Sequence, residues 1–210
     1  MQIKRFVFNP FQVNSYLLYD ETHEAILIDA AMMSDNEKRI FTQFIEDKRL
    51  ILIGLYNTHG HMDHIAGTAW IKQKYMLNPQ GHQADNMLVE TALSHAKLYG
   101  IEMETPEPLR EYIDKGHIIR FGNQELEVRH VPGHSPGGLA FIHHKNKLVF
   151  SGDSLFQSSV GRADLPGGNM EQLIQSIHTE LLSLDENYTV YPGHGPETTI
   201  KIENKENPYL

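Results

Sequence analysis

Short apolar runs separated by turn-forming residues dominate the sequence, and they predict β-strands. Runs at 3–8 and 13–19 are joined by Asn9-Pro10-Phe11-Gln12, and a third run covers 25–28. A fourth run, 50–56, is apolar almost throughout, which is typical of a buried strand. Further strands are predicted in the second half of the chain, at 118–121, 126–131, 139–143, 148–150 and 188–190.

Longer stretches with helical spacing of apolar residues lie between these strands. Ser34-Asp35-Asn36-Glu37 is a capping-box sequence and predicts the start of a first helix. Ile65-Ala66-Gly67 leads into a second helix that ends near Tyr75, and residues 78–81 read as a break. A third helix is predicted over 83–99 and a fourth over 169–184.

The order strand, helix, strand, helix is typical of an α/β protein with helices outside the sheets. Strand clusters in both halves of the chain indicate two sheets packed face to face. The length of 210 residues fits one domain, residues 1–210, with a substantial hydrophobic core.

Composition and charge exclude several classes of protein. The net charge is -9 and no basic stripe is present, so neither nucleic acid nor an anionic membrane surface is an expected partner. The absence of cysteine excludes disulfides, thiolate metal sites and cysteine nucleophiles. No apolar run approaches the roughly 18 residues of a membrane span. No signal-peptide pattern follows Met1, so we expect a cytoplasmic protein. The oligomeric state cannot be read from the sequence.

A dense group of ligand-type side chains follows the fourth apolar run. Residues 58–64 read Thr-His-Gly-His-Met-Asp-His and contain His59, His61, Asp63 and His64. Imidazole and carboxylate suit zinc, iron or manganese. A single ion cannot easily accept all four side chains, so the motif predicts two ions. The alternative, a His-rich surface loop without ligands, is disfavoured because ordinary loops rarely have this density of His and Asp.

Three later strand ends each present one more candidate ligand in a glycine-containing loop. His134 lies within 132–138, Asp153 follows Ser151-Gly152, and His194 lies within 191–196. Each of these motifs is weak alone, because Pro-Gly-His and Gly-Asp are common in surface turns. Their joint occurrence at strand ends predicts one composite site.

Five His and two Asp fit two four- or five-coordinate ions that share one carboxylate. The predicted ligands are His59, His61 and His134 for one ion, Asp63, His64 and His194 for the other, and Asp153 for both. A carboxylate suits the shared position because it has two oxygens. Metal binding lowers the pKa of water from 15.7 to about 7, so hydroxide between the ions would attack an ester-like bond. Asp63 and Asp153 are therefore the catalytic candidates.

This ordered set of motifs resembles the metallo-β-lactamase-fold hydrolases. Within them the chain looks like the glyoxalase II (hydroxyacylglutathione hydrolase) branch, on the basis of 132–137, 161–168 and 207–210. The resemblance implies an αββα four-layer sandwich with a dinuclear site at one edge, and hydrolysis of a small thioester to a hydroxy acid and a thiol. It also implies that Asp29 fixes a metal-bound His through its other ring nitrogen. A turn or helix-cap carboxylate is the alternative for Asp29.

Two departures from the branch leave the substrate open. The C-terminal helical domain of full-length glyoxalase II has no counterpart before Leu210, and Gly195-Pro196 replaces the aromatic residue that commonly follows the last His. Arg162 is a candidate contact for an anionic substrate group, and a surface salt bridge is its alternative. Zinc is the expected metal, with iron or manganese as alternatives.

Other functions of the same residues also stay open. The same fold could cleave a lactone, a phosphoester or a β-lactam. A mononuclear iron dioxygenase for glutathione persulfide would use His59, His61 or His134, and Asp153, and would leave the second set of ligands idle. A metal-binding regulatory protein without turnover is the last alternative.

Overall fold

The computed structural model describes all residues, 1–210, and its largest elements are two six-stranded mixed sheets. In the first sheet the strands lie in chain order, with two antiparallel pairs followed by three parallel pairs. Its strands are β1 (Gln2–Phe8), β2 (Val13–Tyr19), β3 (Glu24–Ile28), β4 (Ile51–Tyr56), β5 (Pro79–Gly81) and β6 (Glu111–Tyr112).

The second sheet is antiparallel except for one central parallel pair. Its strands are β7 (Ile118–Phe121), β8 (Gln124–His130), β9 (Leu139–His143), β10 (Leu148–Gly152), β13 (Thr189–Pro192) and β14 (Thr198–Thr199). Their order is β14-β13-β10-β9-β8-β7, and β10 and β13 form the parallel pair. A short hairpin, β11 (Leu155–Phe156) and β12 (Ser159–Val160), follows β10.

Six α-helices connect or flank the strands. They are α1 (Asp35–Lys48), α2 (Met62–Ile65), α3 (Thr68–Tyr75), α4 (Asn86–Leu98), α5 (Met170–Ser176) and α6 (Ile200–Glu206). The predicted capping box starts α1, where Ser34 and Glu37 each bond the other's backbone N–H. Every helix is too short or too polar to traverse a lipid bilayer.

Strand β2 shows how alternating side chains build two separate cores. Leu17 and Tyr19 point to one face and pack with Phe41 of α1. Tyr16 and Leu18 point to the opposite face and pack in the core between the two sheets. The strand is buried along its whole length because both faces of its sheet are covered.

The second sheet is covered in the same way. Phe141 of β9 packs between the sheets, whereas its neighbours Ala140 and Ile142 pack outward against Leu173 and Ile177. The layers are therefore helix, sheet, sheet and helix, which confirms the predicted αββα sandwich.

Some predicted elements were wrong in detail. The break predicted at 78–81 contains β5, which pairs in parallel with β4 but is too short to show a periodic pattern. The second predicted helix is confirmed as α3, whereas the short helix α2 that precedes it was not predicted. The last predicted helix continues past α5 as a π-helical turn and ends at Leu181 rather than Leu184. Helix α6 was not predicted.

Candidate metal centre

The seven predicted ligands meet at one edge of the sandwich. They are delivered by the segments that follow β4, β8, β10 and β13. The ligand atoms of His59, His61 and His134 all lie within 4.8 Å of one another, as do those of Asp63, His64 and His194. The structure therefore brings together the members of each predicted set, and a third group of close ligand atoms, from His59, His64 and Asp153, links the two sets.

Ring nitrogens in both sets face each other at the spacing of ligands to a common ion. His61 Nδ1 lies 2.9 Å from His134 Nε2, and His64 Nε2 lies 3.2 Å from His194 Nε2. Two nitrogens at about 2.0–2.1 Å from a tetrahedral ion would be about 3.3 Å apart. His59 Nε2 and Asp153 Oδ1 are buried and have no hydrogen-bond partner. Unpaired buried polar atoms are costly, so this donor set fits divalent metal ions.

Asp153 lies between the two sets. Its Oδ2 is 3.7 Å from His134 Nε2 of the first set and 3.4 Å from His194 Nε2 of the second. Its Oδ1 is 3.4 Å from His64 Nε2. The carboxylate thus stands where a ligand shared by two ions would stand.

Outer hydrogen bonds fix the orientation of three of the imidazoles. His134 donates its Nδ1–H to the carbonyl oxygen of Arg162 at 2.6 Å, and His194 donates its Nδ1–H to that of Phe11 at 3.0 Å. His64 Nδ1 donates to Asp29 Oδ2 at 2.9 Å. In each ring the Nε2 lone pair is left facing the centre, which is the tautomer that binds a metal.

Asp29 connects the end of β3 to the histidine loop. It adopts a left-handed conformation, with φ of 56°, and its carboxylate accepts bonds from the Thr58 N–H and hydroxyl, both at 2.7 Å. Because the Thr58 hydroxyl donates to Asp29, it accepts the Nδ1–H of His59 at 3.0 Å. The carboxylate therefore orients His64 directly and His59 through Thr58, and it does not cap a helix.

Electrostatics favours ligand-competent forms of most side chains. Burial, together with the surrounding imidazoles, lowers the pKa of His59, and burial lowers that of His61 to about 3. Burial also opposes charge on His64, but the nearby carboxylates, first that of Asp153, outweigh it and raise the His64 pKa. Burial would raise the pKa of Asp63, but the charge of His64 outweighs it and lowers that pKa. Cation binding would displace a proton from His64.

Asp85 is a buried carboxylate for which the sequence predicted no role. It accepts hydrogen bonds from Gly60 N at 2.8 Å, Ser135 Oγ at 2.9 Å and Gly137 N at 2.6 Å. Burial raises its pKa, although these donors oppose the shift. Gly60 lies between two ligands and Ser135 follows His134, so Asp85 joins two ligand-bearing loops. No local sequence signal distinguishes it from a polar residue at a helix start.

Gly193 leaves room for the centre. A Cβ atom at this position would lie 2.1 Å from Asp153 Oδ1 and 2.7 Å from His64 Cε1. Any larger residue would displace one of these side chains. A glycine at position 193 is thus required by the close packing of Asp153 and His64 around it.

A cavity of about 410 Å³ opens directly above the centre. His61, Asp63, His134, Asp153 and His194 form its floor, and its walls are Phe11, Met62, Leu88, His95, Leu98, Tyr99, Arg162, Leu165 and Pro166. The Arg162 guanidinium makes two bonds to Asp164, at 2.7 and 2.8 Å. Arg162, the predicted substrate contact, therefore lines the cavity, but its guanidinium forms the salt bridge that was stated as the alternative. His95, which no sequence motif singled out, also lies in the cavity wall.

The sandwich and its His/Asp centre define the chain as a metal-dependent hydrolase of the α/β class. It belongs to the metallo-beta-lactamase superfamily, whose family model matches residues 8–194. The chain is similar to a hydroxyacylglutathione hydrolase, GloC, of Haemophilus influenzae, with 36% identity over 100% of this chain and 98% of the relative.

Two solved structures support the same assignment. The di-iron-bound form of TTHA1623 is 36% identical, with a TM-score of 0.87 over 99% of this chain and 100% of its own. The B3 metallo-beta-lactamase BLEG-1 is 33% identical, with a TM-score of 0.89 over 100% of this chain and 99% of its own. The resemblance stated from the motifs is confirmed at the level of the superfamily.

Proposed function

We propose that this chain hydrolyses small thioesters, most of all hydroxyacyl thioesters, which release a hydroxy acid and a thiol, with two divalent ions per chain. The observation that carries the proposal is the convergence of two three-ligand sets on either side of Asp153. The thioester is supported by the Haemophilus influenzae relative, a hydroxyacylglutathione hydrolase at 36% identity over its nearly full length.

Zinc is the proposed metal, with iron or manganese as alternatives. Sites built only from nitrogen and oxygen ligands accept all three ions. The di-iron form of TTHA1623, at 36% identity, supports iron as the first alternative. The complete second set, Asp63, His64 and His194, supports two ions rather than the single iron of a persulfide dioxygenase.

The residues of this chain hold and orient the reacting groups. Divalent ions bound here would supply Lewis acidity, which polarises a thioester carbonyl and makes water more acidic. Asp153 and Asp63 line the cavity floor next to the imidazoles, and Asp29 fixes His64. Water adds to the acyl carbon, the C–S bond breaks, and the thiol leaves with a proton. No protein nucleophile is needed, which agrees with the absence of cysteine.

Arg162 remains a proposed substrate contact. Its guanidinium lines the cavity wall but is paired with Asp164. Contact with a substrate carboxylate would require an exchange of partners.

The test combines elemental analysis of protein purified without added metal with a panel of thioesters. We expect about two ions per chain and thiol release that stops on chelation and returns on reloading. Asp153→Ala should lose metal and activity. Asp185→Ala should retain both, because this exposed carboxylate pairs with Lys147 at 3.0 Å, away from the cavity. Metal-loaded protein that cleaves no thioester would contradict the proposal.

A second candidate is β-lactam hydrolysis. It is supported by the BLEG-1 enzyme, a B3 metallo-beta-lactamase at 33% identity that aligns over this whole chain. A chromogenic β-lactam is therefore included in the panel. Turnover of the β-lactam far above that of every thioester would favour this candidate.

A further inference from the structure

The wall of the cavity is apolar where it faces away from the metal centre. Leu88 and Leu98 of α4 line it together with Met62 and Leu165. Leu88 is 2% exposed, whereas Leu98 at the mouth is 82% exposed. When an apolar group covers a large apolar side chain that is exposed to water at a cavity mouth, the free energy of the complex is lowered.

The wall of the cavity offers no unpaired side-chain cation to a substrate. Arg162 is its only Lys or Arg, and Asp164 engages the guanidinium with two hydrogen bonds. The chain as a whole has a net charge of -9. An anionic group held against this wall, away from the ions proposed at the floor, would lose hydration without gaining an opposite charge.

We infer that the substrate carries an uncharged, apolar substituent that packs against Leu88 and Leu98, and this inference rests on the proposed thioester hydrolysis. A glutathione thioester is a poor match for this wall, because its tripeptide has two carboxylates and one ammonium group. The apolar substituent can belong to the acyl group or to the thiol. In either case the wall contacts an uncharged, apolar group.

The first experiment compares matched thioesters with the metal-loaded enzyme. One arm keeps N-acetylcysteamine, a small neutral thiol, and lengthens the acyl chain from acetyl to hexanoyl. The other arm keeps the lactoyl group and compares N-acetylcysteamine, benzyl thiol and glutathione as the thiol. We expect kcat/KM to rise by about fourfold for each methylene that the wall covers. The arm that shows the rise identifies the side of the thioester that meets α4.

The second experiment uses a pair of variants on the same helix. Leu98→Lys places a cation at the cavity mouth, and Met87→Lys places one on an exposed part of α4 outside the cavity. Leu98→Lys should reduce the rise of kcat/KM with acyl chain length and should lower KM for lactoylglutathione. Met87→Lys should change neither quantity. Both parent side chains are exposed, by 82% and 52%, so folding is not at stake.

The outcomes separate this inference from the proposed function. If the enzyme cleaves thioesters but prefers lactoylglutathione to every neutral substrate, the inference is wrong and the proposed function stands. A flat response to chain length in the unmodified enzyme, in both arms, also overturns it. If no thioester is cleaved, the proposed function fails and the inference fails with it.

Discussion

Replacement of Asp85 tests whether a buried carboxylate outside the ligand set holds the centre together. Asp85→Ala removes the acceptor for Gly60 N, Gly137 N and Ser135 Oγ. The two glycine N–H groups are buried and part of the main chain, so they cannot turn to another partner. The loops that carry His59, His61 and His134 would then lose their common anchor.

The expected loss in the free energy of unfolding follows from the two main-chain N–H groups, of Gly60 and Gly137, that lose their acceptor. A buried donor left without its partner costs about 1–3 kcal/mol, so the pair costs about 2–6 kcal/mol. The lower half of this range is expected, because burial raises the pKa of Asp85 and removal of a desolvated charge offsets part of the loss. Asp85→Asn keeps the shape and one acceptor oxygen, so it should cost less than Asp85→Ala. A domain with a typical stability of about 5–15 kcal/mol would still fold.

The assay measures unfolding in urea and metal retention against a competing chelator. Asp85→Ala should lower the free energy of unfolding and release metal at a lower chelator concentration than the unmodified protein. Asp47→Ala, which removes an exposed carboxylate of α1, should change the free energy of unfolding by less than about 0.5 kcal/mol. An Asp85→Ala protein with unmodified stability and metal affinity would refute the anchoring role.

Three further predictions address the ligand split, the packing of the centre and the first helix. Asp63→Ala should reduce metal content from about two ions to about one, measured by elemental analysis; equal loss from both sets would contradict the split. Gly193→Ala should lower metal affinity, because its Cβ would lie 2.1 Å from Asp153 Oδ1. Burial would raise the pKa of Glu37, but bonds from the N–H groups of Ser34, Asn9 and Met33 lower it. The stabilisation from Glu37 is therefore present above its unfolded pKa and lost as pH falls through the lower folded pKa. Glu37→Gln should reduce urea stability at pH 7, and the difference from the unmodified protein should vanish in acid.

The ligands were predictable from the sequence because their side chains carry the chemistry themselves. His59, His61 and Asp63 lie within five consecutive residues, and each later ligand follows an apolar run in a glycine-containing segment. Strand ends collect at one edge of a sandwich, so local signals sufficed to predict a shared site. Two sheets packed face to face were predictable from the strand clusters in both halves of the chain, and the αββα order of layers was implied by the family resemblance.

The cavity wall and the anchor were not predictable, because they depend on contacts between distant parts of the chain. Asp85 meets Gly137 across 52 positions. Leu88, His95 and Leu98 belong to α4, and they line the cavity together with residues from distant parts of the chain. Periodicity assigns a residue to a face of its own helix, but it does not say what that face meets.

The outer contacts of the imidazoles show a deeper reason why sequence patterns miss part of such a site. His134 and His194 are oriented by the carbonyl oxygens of Arg162 and Phe11, and any residue supplies a carbonyl oxygen. The main chain at these positions serves the centre, while both side chains line the cavity. The side chains can therefore change with the substrate without disturbing the imidazoles. This separation explains how one ligand geometry can support hydrolysis of chemically different substrates.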